Sequence, residues 1–220
     1  MAVWFIPPTH HLLHVRVPTL TRHMKQEHVN DFLDRGRLRL TSLESFRKHP
    51  DEALSDGEEG VIDMSMSNPN AQGQALLFVQ QCYVMCTSSN QFDPDRVAWN
   101  ADSGFRIIDP IGFSNAIAGH VPGFKAGHVG ACDYTDEPDV VLNSDEPLVP
   151  PDKHPGGPDG YFREMMARQE KHAIPGLFSK ARRFLPDSEY RFLWFTDGKP
   201  EQELFIDCPE ARGYCAALEP

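Results

Sequence analysis

FSKARRFLPDSEYRFLW, residues 178–194, carries the reading of the fold. Lys180, Arg182 and Arg183 precede a loop, and Glu189 then opens an apolar strand, Glu189–Phe195. Successive strand side chains point to opposite faces. Alternation therefore puts Glu189, Arg191, Leu193 and Phe195 on one face and Tyr190, Phe192 and Trp194 on the other. The strand as a whole reads as largely buried. A carboxylate at its start must be paired or kept at the edge of a cleft. Two readings follow. Either Glu189 pairs with Arg191 or Arg183, or it faces a cleft and acts on a bound substrate.

Outward from this strand the chain alternates strands with loops. Gln202–Cys208 (QELFIDC) reads as the next strand, and Asp197-Gly198 predicts a β-hairpin between the two. Upstream, Asp159 caps an expected helix from Tyr161 to about His172, and HVGACDY (128–134) and GFRIID (104–109) read as strands. Pro110 starts a short helix that Gly119 ends. ALLFVQQCYVMCTSS (75–89) reads as one bent strand or as two joined near Gln80-Gln81. At the front, His10–Val17 reads as a strand, with Leu13, Val15 and Val17 on one face and His10, Leu12, His14 and Arg16 on the other. A helix capped by Thr19 or Thr21 is expected to run to about Arg35, ended by Gly36, before a second strand, RLRLTSL (37–43). Two long loops complete the pattern, Arg47–Gln74 and Asp136–Gly160. The first holds five acidic residues between Asp51 and Glu59, and the second holds six prolines. The expectation is a single α+β domain over residues 1–220, with about seven strands and three helices.

Composition narrows the function classes. The 220 residues carry 21 Lys+Arg against 32 Asp+Glu, a net charge of −11. That balance argues against broad binding to a phosphate backbone, which needs clustered cations. With 16 Gly and 19 Pro the chain is no coiled coil or helical bundle. No apolar run reaches the roughly 18 residues of a membrane span, and MAVWFIPPTHHLLHV lacks the basic start of a signal peptide. The five cysteines form no CxxC pair, which fits a cytoplasmic protein. No HExxH, Walker-A, GxGxxG or GxSxG pattern occurs, and no metal ligand set is expected. His10 and His14 share a strand face but His11 does not. The acidic loop DEALSDGEEG lacks the spacing of a calcium loop.

Several of these segments, taken in order, resemble a known family. HLLHVRV, the helix ending FLDRG, and RLRLTSLESF are similar to the opening of the ADP-ribosyltransferase fold, the DarT-type enzymes included. Residues 12–195 also resemble a large uncharacterised family of bacterial and phage proteins. Its pattern is a polar loop (SFRKHPDEALSDGEEG), a Cys-Ser strand (CYVMCTSS), a Gly-Phe strand with a terminal Asp (GFRIID), and a basic stretch before a Glu-Tyr-Arg strand (SKARRFLPDSEYRF). Thr41-Ser42 and Ser45 are the nearest match to a Ser-Thr-Ser motif. Tyr190-Arg191 after Glu189 departs from the E-x-E pattern of arginine-modifying members.

The resemblance implies split, mostly antiparallel sheets around a cleft that binds NAD as a substrate. It implies NAD-dependent ADP-ribosyl transfer of toxin or phage-defence type to an unknown macromolecular target. Glu189 would contact the nicotinamide-side ribose and stabilise the oxocarbenium-like transition state. His14 or Arg16 would hold the adenosine ribose or pyrophosphate, and an Arg fork suits phosphate. Thr41 or Ser42 would support the cleft wall, and Tyr83 or Tyr134 would stack on nicotinamide. Two alternatives stand beside this: a non-catalytic binding or sensor protein on the same fold, and a metal-dependent nucleotide hydrolase using the acidic loop.

Overall fold

The computed structural model describes residues 17–47, 61–66, 74–78, 81–90, 101–136, 140–142 and 152–218. The expected first strand lies almost wholly outside them, as do the acidic loop, His14 and Arg16. The chain order is β1 (Leu20–Met24), α1 (Gln26–Arg35), β2 (Arg37–Ser42), α2 (Leu43–Arg47), β3 (Val61–Met66), β4 (Gln74–Phe78), β5 (Cys82–Ser88) and β6 (Ser103–Ile107). There follow α3 (Pro110–Ala118), β7 (Phe124–Ala131), β8 (Asp133–Tyr134), β9 (Val140–Leu142), α4 (Gly157–Gly176) and β10 (Ser179–Lys180). A 3₁₀ turn (Arg182–Asp187), β11 (Glu189–Thr196), β12 (Glu203–Asp207), a second 3₁₀ turn (Pro209–Tyr214) and β13 (Cys215–Ala217) end it.

The fold is α+β, built on an eight-stranded antiparallel sheet. Its strands run β12-β2-β5-β1-β6-β13, with β11 on the other edge of β5 and β7 beyond β11. β11 pairs with β5 along its length, from Glu189 opposite Ser88 to Phe195 opposite Cys82. That leaves one edge of β5 for two partners. β2 takes Tyr83 and Val84, and β1 takes Ser88. The sheet therefore forks at β5, between β1 and β2. A separate sheet joins β4, β3 and β9, and β8 pairs with β10.

The two faces of β11 match the alternation read from sequence. Tyr190, Phe192 and Trp194 enter the larger core with Leu20, Phe32, Phe105 and Phe113, under α1 and α3. Phe32 stacks on Phe105 with centroids 4.3 Å apart, and Trp194 Nε1 donates to the Ser114 carbonyl at 3.1 Å. Leu193 packs on the other face with Leu43, Val84, Leu177 and Phe178.

Four expectations need correcting. The helix does not begin at Thr19 or Thr21, because Leu20–Met24 is strand β1, paired residue by residue with β6. A four-residue spacing such as Leu20 to Met24 shares a face in a helix and in a strand alike, so pairing decides. α1 starts only at Gln26, and Gly36 closes it at φ 78°, its N–H bonded to the Phe32 carbonyl at 2.7 Å. A Cβ at Gly36 would lie 2.3 Å from the Cys208 carbonyl oxygen, so glycine is required there. Asp197-Gly198 does not make a hairpin: β5 and β7 occupy both edges of β11, and β12 pairs with β2. The two expected loops contain β3 and β9, and α4 begins at Gly157, inside the second. The described residues hold thirteen strands and four α-helices rather than about seven and three. The run 75–89 divides into β4 and β5, which join different sheets.

Candidate functional site

Glu189 occupies the first position of β11, beside the fork. Ser188 before it adopts the left-handed region at φ 46°, a conformation that costs a non-glycine residue about 1 kcal/mol or more. Flanking bonds hold it. The Ser188 carbonyl accepts from the Ser89 N–H at 2.9 Å, and Ser88 Oγ donates to the Asp187 carbonyl at 2.7 Å. The Glu189 N–H donates to Tyr134 Oη at 2.6 Å.

The Glu189 side chain is 2% exposed and doubly ion-paired. Arg191 Nε donates to Oε1 at 2.5 Å, and Lys180 Nζ donates to Oε2. Arg191 Nη1 also donates to the Leu177 carbonyl at 2.6 Å. Burial alone would raise the Glu189 pKa, but Arg191 and then Lys180 outweigh it and hold the carboxyl well below its usual range. For Lys180 burial works toward a lower pKa, and the Glu189 carboxylate overcomes it, so the ammonium titrates above its ordinary range. Lys180 also lies 4.3 Å from the centroid of the Phe184 ring, a cation–π contact. Burial pushes the Tyr134 phenol up to about 12.

Arg22 of β1 stands on the larger-core face, with Leu20, and its guanidinium reaches into the gap of the fork. Its Nη1 donates to the Cys86 carbonyl, on the β5 edge between the two branches of the fork. Its Nε is buried, with no hydrogen-bond partner among the described residues. Burial lowers the Arg22 pKa, Arg39 lowers it further, and the pull of Cys86 and Glu189 works the other way. Arg22, Lys180 and Arg191 thus all lie in the field of Glu189. Buried positive charge is costly unless an anion meets it. A guanidinium with a spare N–H is suited to a phosphate oxygen.

The structure brings some of the expected site residues together and separates others. Glu189 and Tyr134 touch. Thr41 pairs with Val84, on the Glu189 side of the sheet. Ser42 and Tyr83 pair with each other and face the larger core, on the opposite side. Tyr83 Oη accepts from the Glu201 N–H at 3.1 Å, and Ser42 Oγ lies 3.1 Å from Ser45 Oγ. Tyr83 is therefore a core residue and no stacking partner for a ligand near Glu189. Arg22 was missed because LTRHM was assigned to a helix. Read as a strand, it sets an arginine between Leu20 and Met24 on an apolar face, and that is the signal that would have found it.

No family model matches the chain, and neither any curated protein nor any solved structure matches it.

Proposed function

We propose that the chain is an NAD-dependent ADP-ribosyltransferase of toxin or phage-defence type, acting in the cytoplasm, with NAD held at the fork between β1 and β2. One observation carries the reading: a buried carboxylate beside the fork of an antiparallel sheet, paired with Arg191 and Lys180, with a buried Arg22 N–H nearby that has no partner among the described residues. The cations suit the pyrophosphate of a dinucleotide, and the carboxylate suits the positive charge that develops on ribose. Arg22 and Lys180 take the pyrophosphate, helped by His14 or Arg16 as the family resemblance implies. When Lys180 turns to the phosphate, Glu189 Oε2 is released to the nicotinamide-side ribose 2′-OH. The C1′–N bond then breaks, and its electron pair leaves on neutral nicotinamide. The C1′ cation, stabilised by Glu189, is captured by a lone pair of the acceptor, whose proton passes to solvent. Tyr134 borders the nicotinamide, and Thr41 supports the wall.

A second reading has its own support. Both Glu189 oxygens are already engaged by Arg191 and Lys180, as in a structural pair that fixes cations for a phosphorylated ligand without chemistry. Calorimetry with NAD, beside an assay of nicotinamide release, separates the two. Binding with release supports transfer. Binding without release supports the second reading, and no binding of NAD refutes the first.

A further inference from the structure

A second cluster lies on the other face of the sheet from Glu189, where the end of α3 meets the segment after β12. His120 Nε2 is 2.6 Å from Glu210 Oε1. The Cys208 thiol, fully buried, lies beside this pair. The nitrogen, sulfur and oxygen of these three side chains lie within 4.8 Å of one another. We propose that His120, Cys208 and Glu210 bind a borderline-soft divalent cation, Zn²⁺, with water in the fourth position.

The donor set fits that ion. Zn²⁺ takes thiolate at about 2.3 Å, imidazole at about 2.0 Å and carboxylate at about 2.0–2.2 Å in tetrahedral array. Ligand atoms around such an ion stand about 3.3–3.5 Å apart. The separations, all within 4.8 Å, must close by at most about 1.5 Å, and the 2.6 Å His120–Glu210 contact must open by less than that. The part-exposed side chains of Glu210 and His120 supply this freedom. The backbones of Cys208 and His120 are fixed. The Cys208 N–H donates to the Gly36 carbonyl at 2.9 Å, and its own carbonyl accepts from the Ala211 N–H at 3.2 Å. The His120 N–H donates to the Ile117 carbonyl at 2.9 Å, at the close of α3. Cys208 is fully buried beneath the other two ligands, so the ion enters from the solvent side past Glu210. On binding, the thiol proton leaves to the buffer and the sulfur bonds as thiolate. Three protein ligands with a solvent-facing fourth position is the open form of a zinc site, whereas closed structural sites use four. The ion would also tie the C-terminal strands to α3.

The test uses the full chain, dialysed against EDTA and titrated with Co²⁺. One equivalent is expected to produce a thiolate-to-Co²⁺ charge-transfer band in the near ultraviolet, which Zn²⁺ then erases. Cys208→Ser should abolish the band and Cys215→Ser should keep it. His120→Ala and Glu210→Gln, at partly exposed positions, should each weaken binding about tenfold or more. They also carry the test if the buried Cys208 variant does not fold. The histidines at 10, 11 and 14 can hold Co²⁺ without sulfur, so binding with no charge-transfer band overturns the proposal. So does a band that survives both Cys208→Ser and His120→Ala.

Discussion

Replacing Glu189 by Gln keeps the shape of the side chain and removes its charge. Lys180 and Arg191 then remain with an uncharged partner, and Arg191 is as buried as Glu189 itself. Breaking a buried pair by removing one member costs about 3 kcal/mol or more, mostly the burden of the charges left behind. In a domain of this size each kcal/mol shifts the melting temperature by about 2–4 °C. The variant should therefore melt roughly 6–12 °C below the parent. If Glu189 also stabilises the oxocarbenium-like transition state, nicotinamide release per folded molecule should fall by about 10²–10³. Turnover must be measured well below the lower melting point, beside calorimetric melting of both proteins. Unchanged melting would refute the buried ion pair. Unchanged turnover per folded molecule would refute the catalytic role and leave the pair purely structural. A double-mutant cycle with Lys180→Met then measures the pair by itself, because residues sharing one network are not additive.

Acid should act through the same carboxyl: its folded pKa is lowered toward about 2, so the stability it contributes is full above the unfolded carboxylate range and is lost as pH falls from there toward 2. Urea unfolding between pH 6 and 3 should show that loss, and Glu189→Gln should flatten it. Arg22→Met should weaken NAD binding by about tenfold or more while costing less than about 2 kcal/mol of stability, as calorimetry and urea unfolding would show; NAD affinity equal to the parent's would remove Arg22 from the proposed site. Gly36→Ala must force an alanine to φ 78° with its Cβ 2.3 Å from the Cys208 oxygen, and should lose more than about 1 kcal/mol in urea. Phe113→Ala empties a fully buried ring position between Phe32, Phe105 and Phe192 and should cost about 3–5 kcal/mol in the same assay.

The strands most legible in sequence were those whose own residues settle the matter. β11 has a charged start and, apart from Arg191, apolar and aromatic residues through Phe195, and its faces followed from alternation alone. α3 was marked by Pro110 at its start, and the Asp109 carboxylate just before it accepts from the Gly112 N–H at 2.9 Å. What failed was decided by distant partners. Leu20–Met24 became a strand because β6 lies alongside it. Asp197-Gly198 has the local chemistry of a hairpin, but neither edge of β11 was free to complete one. β3 sits in a polar stretch and takes its partners from β4 and β9. The site divided in the same way. Glu189 was singled out by its own strand, and Arg191 by its spacing. Arg22 and Lys180 reach it only through the folded sheet.

The order of strands in the main sheet also sets when the molecule can exist at all. β2 (Arg37–Ser42) waits for β12 (Glu203–Asp207), and β6 (Ser103–Ile107) waits for β13 (Cys215–Ala217), each far later in the sequence. Such long-range pairings are entropically expensive to close and fold slowly. During synthesis β2 and β6 therefore leave the ribosome with an open edge each, exposed to pairing with other chains until β12 and β13 arrive. The sheet stays incomplete while the residues between its early and late strands are made, and it closes only when β12 and β13 take their places.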